Sequence, residues 1–204
     1  MAASETARIE AFSDGVFAIA ITLLVLDLKV PKELESGHSL ASALMIQWPA
    51  YLAFVTSFLT ILVMWVNHHR MFTLIERSDD RLLLFNGLLL MGVTLVPFPT
   101  SLVAEHLRLA GERTAAIVFN CTFVYLALCF NLLWRTAAVG DRLLNPACDR
   151  TAVRNIFESY RWGPLLYGLG LALAFVSVGA SLALNLGLAI FFALPQRQRK
   201  GSAV

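Results

Sequence analysis

Six long apolar segments divide the chain, and their lengths limit what it can fold into. The segments lie at about 8–28, 49–72, 82–104, 114–134, 164–178 and 180–194. The last two are near the lower length limit for crossing a bilayer, and an alternative interpretation joins them into one buried stretch with a turn at 179–185. We favour two helices, because about 30 apolar residues are too many for one span. The segments therefore predict an all-α membrane protein in which residues 1–204 form one domain with six transmembrane helices.

The composition supports a membrane protein and argues against several other classes. Hydrophobic residues make up 58% of the chain, charged residues 15%, and the mean hydropathy is +0.70, whereas soluble domains carry about a quarter charged residues. No basic patch with interleaved aromatic residues is present, so nucleic-acid binding is not expected. The three cysteines include no close pair, which argues against a disulfide framework or a cysteine metal site. We also expect no cleavable signal peptide, because the first segment contains Asp14 and lacks a small-residue cleavage site.

The positive charges predict the orientation in the membrane. With six spans, twelve Lys and Arg residues fall on one side and four on the other, namely Lys29, Lys32, Arg108 and Arg113. Cytoplasmic loops carry the excess of Lys and Arg. Both termini are therefore expected in the cytoplasm.

The first apolar segment has a charged entry and a narrow apolar stripe. Charges inside a membrane usually pair or line a cavity, and here they are Arg8, Glu10 and Asp14. Spacings of three and four residues place one set of apolar side chains on one face of a helix: Phe12, Gly15 or Val16, Ile19, Leu23 and Leu26. Small residues flank this stripe, at Gly15, Ala18, Ala20 and Thr22, so copies of the helix can approach closely. This pattern suits a helix that lines an axis better than one that faces lipid.

Three motifs give the chain a recognisable resemblance. The first is Arg-x-x-x-Phe-Ser-Asp, from Arg8 to Asp14, and the apolar run after it continues to Pro31. The second is Trp-Val-Asn-His-His at 65–69, and the third is Leu-Val-Pro-Phe-Pro-Thr at 95–100. In this order the motifs resemble those of the transmembrane protein 175 family, potassium channels of endolysosomes and their bacterial relatives. The resemblance covers about half of the chain; the last two helices match only in hydropathy.

The resemblance implies an assembly and a location. The signature occurs once, so a pore lined by the first helix needs helices from other subunits, and cyclic symmetry is the usual solution. Bacterial members of the family are tetramers. We therefore expect a homotetramer in a bacterial inner membrane, with four copies of the first helix around a central pore. Its partners would be K⁺ ions and the lipid bilayer, with K⁺ as the permeant ion and no cofactor.

The resemblance also implies roles for individual residues. The sequence has no Gly-rich loop of the kind that forms conventional potassium filters from backbone carbonyls. The family instead places a hydrophobic constriction on the first helix, at Ile19 here, with Leu23 and Leu26 on the same face. Thr22 occupies the position at which family members use a hydroxyl to favour potassium. The signature residues would fix the first helix against the second through a structural polar network of Arg8, Phe12, Ser13, Asp14, Trp65, Asn67 and His68. Asp27, with Glu33 or Glu35, would give a negative outer mouth, although a solvated loop charge is an equal alternative.

Other interpretations remain open at this point. Ile19, Leu23 and Leu26 can be ordinary packing residues. Asp14, Arg8 and His68 can instead form the relay of a proton-coupled or proton-conducting transporter. An enzyme is not expected: His68 and His69 point about 100° apart with no third metal ligand spaced for them. Ser13 beside Asp14 lacks the nucleophile, base and orienting group of a hydrolase.

Overall fold

The computed structural model describes residues 5–31 and 39–193, and the regular elements in those ranges are helical. They are α1 (Glu5–Leu23), α2 (Leu40–Ile46), α3 (Trp48–Phe72), α4 (Asp80–Leu95), α5 (Pro97–His106), α6 (Glu112–Ala138), α7 (Arg150–Arg161), α8 (Gly163–Val176) and α9 (Val178–Ala193). Short 3₁₀ turns follow α1 at Leu24–Asp27 and α6 at Val139–Asp141. The chain is therefore an all-helical protein, as its sequence predicts.

Four helical stretches in the described ranges are long and apolar enough to cross a membrane: Thr6–Asp27, Trp48–Phe72, Asp80–His106 and Glu112–Asp141. α8 and α9 have 14 and 16 residues. At 1.5 Å per residue they are about 21 and 24 Å long, shorter than a hydrocarbon core of about 30 Å. Six spans per subunit thus stays a prediction, and Leu194, the predicted end of the last helix, lies outside the described residues.

Prolines mark the boundaries of two helices. Pro49 lies in the first turn of α3, where its missing N–H breaks no hydrogen bond. The third long stretch is interrupted at Val96, between α4 and α5. Pro97 and Pro99 occupy the first turn of α5 and cannot donate backwards to the end of α4. The predicted third helix is therefore two helices that follow each other with one residue between them.

The core is built around α6, which packs against α4, α5 and α8. Its largest fully buried side chains include Phe119, Phe123, Leu126, Leu133 and Trp134. α1 packs against α3 and α4. Of the most apolar 18 residues of the stretch Thr6–Asp27, 22% are buried within the chain, against 56% for the corresponding part of Glu112–Asp141. α1 therefore lies at the edge of the subunit.

A buried polar cluster joins α6 to α8 and α9. Asn120 Nδ2 donates to Ser181 Oγ at 2.9 Å, and Ser181 Oγ donates to the Gly170 carbonyl at 2.7 Å. Asn185 Nδ2 donates to Asn120 Oδ1 at 2.9 Å. Buried amides require partners of this kind. The cluster therefore ties the two short helices to the central one.

Two helices, α2 and α7, lie between the apolar segments that the sequence predicts as membrane spans. In α2, Ser39 accepts a hydrogen bond from Ser42 N at 3.2 Å and so caps the helix. In α7, Asp149 accepts from Thr151 N at 2.8 Å in the same way. α7 is amphipathic: the Tyr160 ring stacks on Phe130 with 5.7 Å between centroids, while the arginines of α7 remain exposed.

Candidate pore helix and its anchor

One face of α1 and of the turn that follows it is uncovered in the chain. It carries Phe12, Ile19, Leu23 and Leu26, with exposed fractions of 67%, 60%, 42% and 71%. The small residues of the same face are exposed as well: Gly15, Ala18 and Thr22. We call this set of seven residues the open face of α1. It is apolar, narrow and interrupted by one hydroxyl.

Thr22 is the hydroxyl of the open face. Its Oγ1 donates to the Ile19 carbonyl at 2.9 Å. A hydroxyl has one proton to donate and two lone pairs that can accept. Since the proton is used within the helix, the oxygen of Thr22 keeps its lone pairs for a partner outside the chain.

The opposite face of α1 is anchored by a buried hydrogen-bonded row. Ser13 Oγ donates to the Ile9 carbonyl at 2.8 Å and accepts from Asn86 Nδ2 at 3.1 Å. Asn86 Oδ1 is 2.9 Å from His68 Nε2. Because an amide oxygen only accepts, His68 donates from Nε2 in this pair. The row Ser13–Asn86–His68 links α1, α4 and α3.

Aromatic rings enclose His68. Its ring stacks on Phe72 at 4.3 Å and lies 5.4 Å from the Phe17 ring, centroid to centroid. Its Nδ1 is buried and has no hydrogen-bond partner in the described part of the chain. The environment of His68 is therefore that of a packed residue with one polar contact.

Two further contacts join the entry of α1 to α3. Trp65 Nε1 donates to Asp14 Oδ1 at 2.8 Å, and His69 Nδ1 lies 2.5 Å from Glu10 Oε1. The rings of Trp65 and His69 stack with 6.4 Å between centroids. Glu10 and Asp14 thus each have a partner on the same stretch of α3.

The structure brings together four of the seven residues predicted for the polar network: Ser13, Asp14, Trp65 and His68. Arg8 and Phe12 instead lie exposed, and Arg8 forms no ion pair with the side chains that the structure describes. Asn67 is half-buried. Their predicted part in the network stays a prediction.

Asn86 is the residue that the sequence analysis missed. It occupies the centre of the buried row, although no motif includes it. The available signal is an isolated amide in the apolar run Leu82–Val96, since a polar side chain at such a position needs a partner. Periodicity alone does not identify that partner.

The other end of the first span is attached to α5. Ser101 Oγ donates to Asp27 Oδ1 at 2.5 Å, and Lys29 forms an ion pair with Glu105. The hydrogen bond to Glu105, followed by its negative charge, raises the pKa of Lys29. Asp27 is half-buried, and its Oδ2 has no hydrogen-bond donor among the described residues. Glu33 and Glu35, the other candidates for a negative mouth, lie outside the described residues.

Comparison with known proteins places the chain in a family. The family model described as "Endosomal/lysosomal potassium channel TMEM175" matches residues 8–97. A protein from Chamaesiphon minutus that is named a potassium channel is 55% identical over 192 residues, 94% of this chain and 95% of that relative. A protein from Streptomyces collinus with the same description is 45% identical, over 95% of this chain and 94% of the relative.

A solved structure gives the same result. The crystal structure of a lysosomal potassium-selective channel TMEM175 homolog from Chamaesiphon minutus matches with a TM-score of 0.85 and 52% sequence identity. The match covers 93% of this chain and 96% of that one. The fold, the motifs and the sequence identity over nearly the full length all show that the chain belongs to the TMEM175 family of ion channels, which are not enzymes.

Proposed function

We propose that this chain is the subunit of a potassium-selective channel that lets K⁺ move passively down its gradient, with α1 lining the pore. The observation that carries the proposal is the open face of α1, an apolar stripe with a hydroxyl on a helix at the edge of the subunit. The naming of relatives at 55% and 45% identity as potassium channels supports it.

Four copies of the chain around an axis would cover the open face. Lipid could also cover exposed Ile and Leu side chains. Gly15, Ala18 and Thr22, however, reduce the width of the helix, and rows of small residues are typical of helices that pack closely in membranes. A cyclic tetramer uses the same face of every subunit and leaves no α1 without a neighbour.

In this tetramer Ile19 would form the narrowest ring, with Leu23 and Leu26 on the same wall. A ring of four isoleucines offers an ion no oxygen, so the ion must lose water there without replacement. Thr22 would supply four oxygens close to that ring. K⁺ holds its water less tightly than Na⁺, so partial replacement by hydroxyls favours K⁺. The lone pairs that Thr22 keeps after donating to Ile19 are the groups that would do this.

The contacts that hold α1 against its neighbouring helices would set the width of the pore. The row Ser13–Asn86–His68 and the bond from Trp65 to Asp14 fix α1 against α3 and α4. The contact of Asp27 with Ser101 fixes the end of the first span against α5. A helix held at both ends keeps its open face in one orientation, which a constriction of fixed radius requires.

The rival proposal is a proton path through Arg8, Asp14 and His68. A relay needs a second hydrogen-bonded group on the far side of each member. Within the described residues, Nδ1 of His68 has no such partner, and Asp14 accepts a hydrogen bond from the indole of Trp65, which only donates. These contacts favour a structural role for Asp14 and His68.

The location follows the same proposal. The channel would lie in a bacterial inner membrane with both termini in the cytoplasm. Asp27 would face the outer mouth, where its charge would attract cations. The excess of Lys and Arg on one side of the predicted spans supports this orientation.

Flux measurements on the reconstituted protein test the function. The purified chain in liposomes should let K⁺ enter down its gradient faster than Na⁺, without requiring a pH gradient. Empty liposomes and liposomes with heat-inactivated protein are the controls. Flux of protons alone, or K⁺ flux only when a proton gradient is imposed, would support the transporter instead.

A further inference from the structure

A second feature of the molecule lies away from the open face of α1. A cavity of about 340 Å³ opens between the end of α6 and α7. Three arginines line it, Arg135, Arg150 and Arg154, together with one acidic residue, Asp141. The remaining lining is mostly apolar, and Phe157 is its largest exposed side chain. The cavity is therefore a positively charged opening with a hydrophobic wall.

The charges of the cavity are only partly balanced within the chain. Arg150 pairs with Asp141 at 2.6 Å. Arg135 lies over the Phe157 ring, with 6.0 Å between its guanidinium carbon and the centroid. Neither Arg135 nor Arg154 has an ion pair among the described residues. The guanidinium groups of Arg135 and Arg154 can therefore bind an anion without breaking an existing ion pair.

An unpartnered donor is buried at the same place. Trp134 lines the cavity and is 1% exposed, and its Nε1 has no acceptor in the part of the chain that the structure describes. A buried indole N–H normally has an acceptor. An oxygen atom of a bound group would satisfy it.

The position of the cavity indicates what kind of anion it takes. The fourth long apolar stretch ends at Asp141, so the cavity lies where α6 leaves the apolar layer. α7 packs its apolar side on α6 and keeps its arginines exposed, so its charged side lies at the end of the apolar layer. Arg and Trp are both suited to the headgroup region.

We propose that this cavity binds the phosphate of an anionic phospholipid from the leaflet at the arginine-rich end of the protein. Arg135 and Arg154 bind the phosphate oxygens, Trp134 Nε1 donates to one of them, and Phe157 contacts the start of an acyl chain. A soluble phosphate would use the same arginines but would leave the apolar wall uncovered.

Lipid binding to the purified channel tests this site. The protein in uncharged detergent is incubated with phosphatidylglycerol or with phosphatidylcholine of the same acyl chains, and bound lipid is counted by native mass spectrometry. Phosphatidylglycerol should bind more tightly than phosphatidylcholine. Arg154→Gln should weaken phosphatidylglycerol binding about fivefold, the effect of removing one arginine near the surface. Trp134→Phe removes the indole N–H while keeping an aromatic ring at this position, and it should weaken binding by a similar factor.

Arg161→Gln is the matched control, since Arg161 is an exposed arginine of the same helix outside the cavity. It should leave binding unchanged. An equal loss in Arg161→Gln would mean general surface attraction and would overturn the site, as would unchanged binding in both Arg154→Gln and Trp134→Phe. Displacement of the lipid by an equal concentration of inorganic phosphate would assign the cavity to a soluble anion. Should Trp134→Phe fail to fold, Arg154→Gln against Arg161→Gln decides the matter.

Discussion

Asn86 shows how much a single amide contributes to the position of α1. It is 4% exposed, donates to Ser13 and accepts from His68. Both of its partners are also buried. Removing the amide therefore leaves the buried N–H of His68 without an acceptor and takes away the donor to Ser13 Oγ, which keeps only its bond to the Ile9 carbonyl. An unpaired group in an apolar environment is more costly than a hydrogen bond lost at the surface.

We expect Asn86→Ala to lower the free energy of unfolding by ~1–3 kcal/mol and to reduce the yield of assembled protein. Thermal unfolding in detergent and size-exclusion chromatography measure the two effects. Thr94→Ala is the control, because Thr94 is exposed on the same helix and its hydroxyl bonds only the Met91 carbonyl. Equal behaviour of the two variants would show that the buried row does not hold α1.

Gly170 illustrates the same dependence at the level of a helix pair. A Cβ on Gly170 would lie 2.6 Å from Asn120 Oδ1, closer than contact permits. α8 can therefore approach α6 only because this residue has no side chain. Asn120 in turn contacts Ser181 and Asn185, so any movement of its amide would disturb the contact of α6 with α9 as well.

We expect Gly170→Ala to destabilise the protein by ~1–3 kcal/mol, the usual cost of overpacking. Gly168→Ala on the same helix is the matched control, because a Cβ there meets nothing within 4 Å. Alanine favours helices over glycine by about 1 kcal/mol, so the control should be neutral or stabilising. Gly170→Ala should thus lower the melting temperature, while Gly168→Ala should leave it unchanged or raise it; an equal decrease in both would contradict the proposed packing.

The sequence indicates elements better than it indicates their neighbours. Apolar length reveals the long helical stretches because lipid imposes it, and the family motifs identify the channel fold. α7 was missed although Val153, Ile156, Phe157 and Tyr160 recur at helical spacing, because its polar composition sets it apart from a membrane span. Asn86 was missed because a hydrophobic pattern shows which residues are buried but not which helix they meet. The resemblance alone, by contrast, suggested that Asp14 and Trp65 belong to one network.

At the scale of the whole molecule, the open face of α1 needs a cover, and the proposal supplies it with copies of the same chain. Ile19 and Leu23 would then lie near their symmetry mates. Val25, which is 51% exposed, lies about 120° around the helix from Ile19, next to Ala18 at the rim of the open face, and would not point at the axis. Disulfide cross-linking can distinguish a position that faces its symmetry mates from one that does not.

We expect a cysteine introduced at Leu23 to form disulfides between subunits under mild oxidation. A disulfide needs Cα atoms within about 7 Å, and the proposed tetramer would bring the Leu23 positions of neighbouring subunits to about that distance. The background replaces Cys121 and Cys148 by Ser and keeps the buried Cys129. Covalent dimers on a denaturing gel are the readout. A cysteine at Val25 is the control, and cross-linking there but not at Leu23 would place a different face at the axis.

Ion selectivity in planar bilayers tests the central claim, that α1 lines the permeation pathway, most directly. The measurement is the bi-ionic K⁺/Na⁺ reversal potential together with the cation current for the native chain, Ile19→Asn, Thr22→Ala and the control Val25→Ala. Ile19→Asn adds polar groups at the proposed barrier and should raise the current. Thr22→Ala removes the hydroxyl ring and should reduce the preference for K⁺ while the pore still conducts. Unchanged current in Ile19→Asn with unchanged reversal potential in Thr22→Ala would exclude α1 from the pathway.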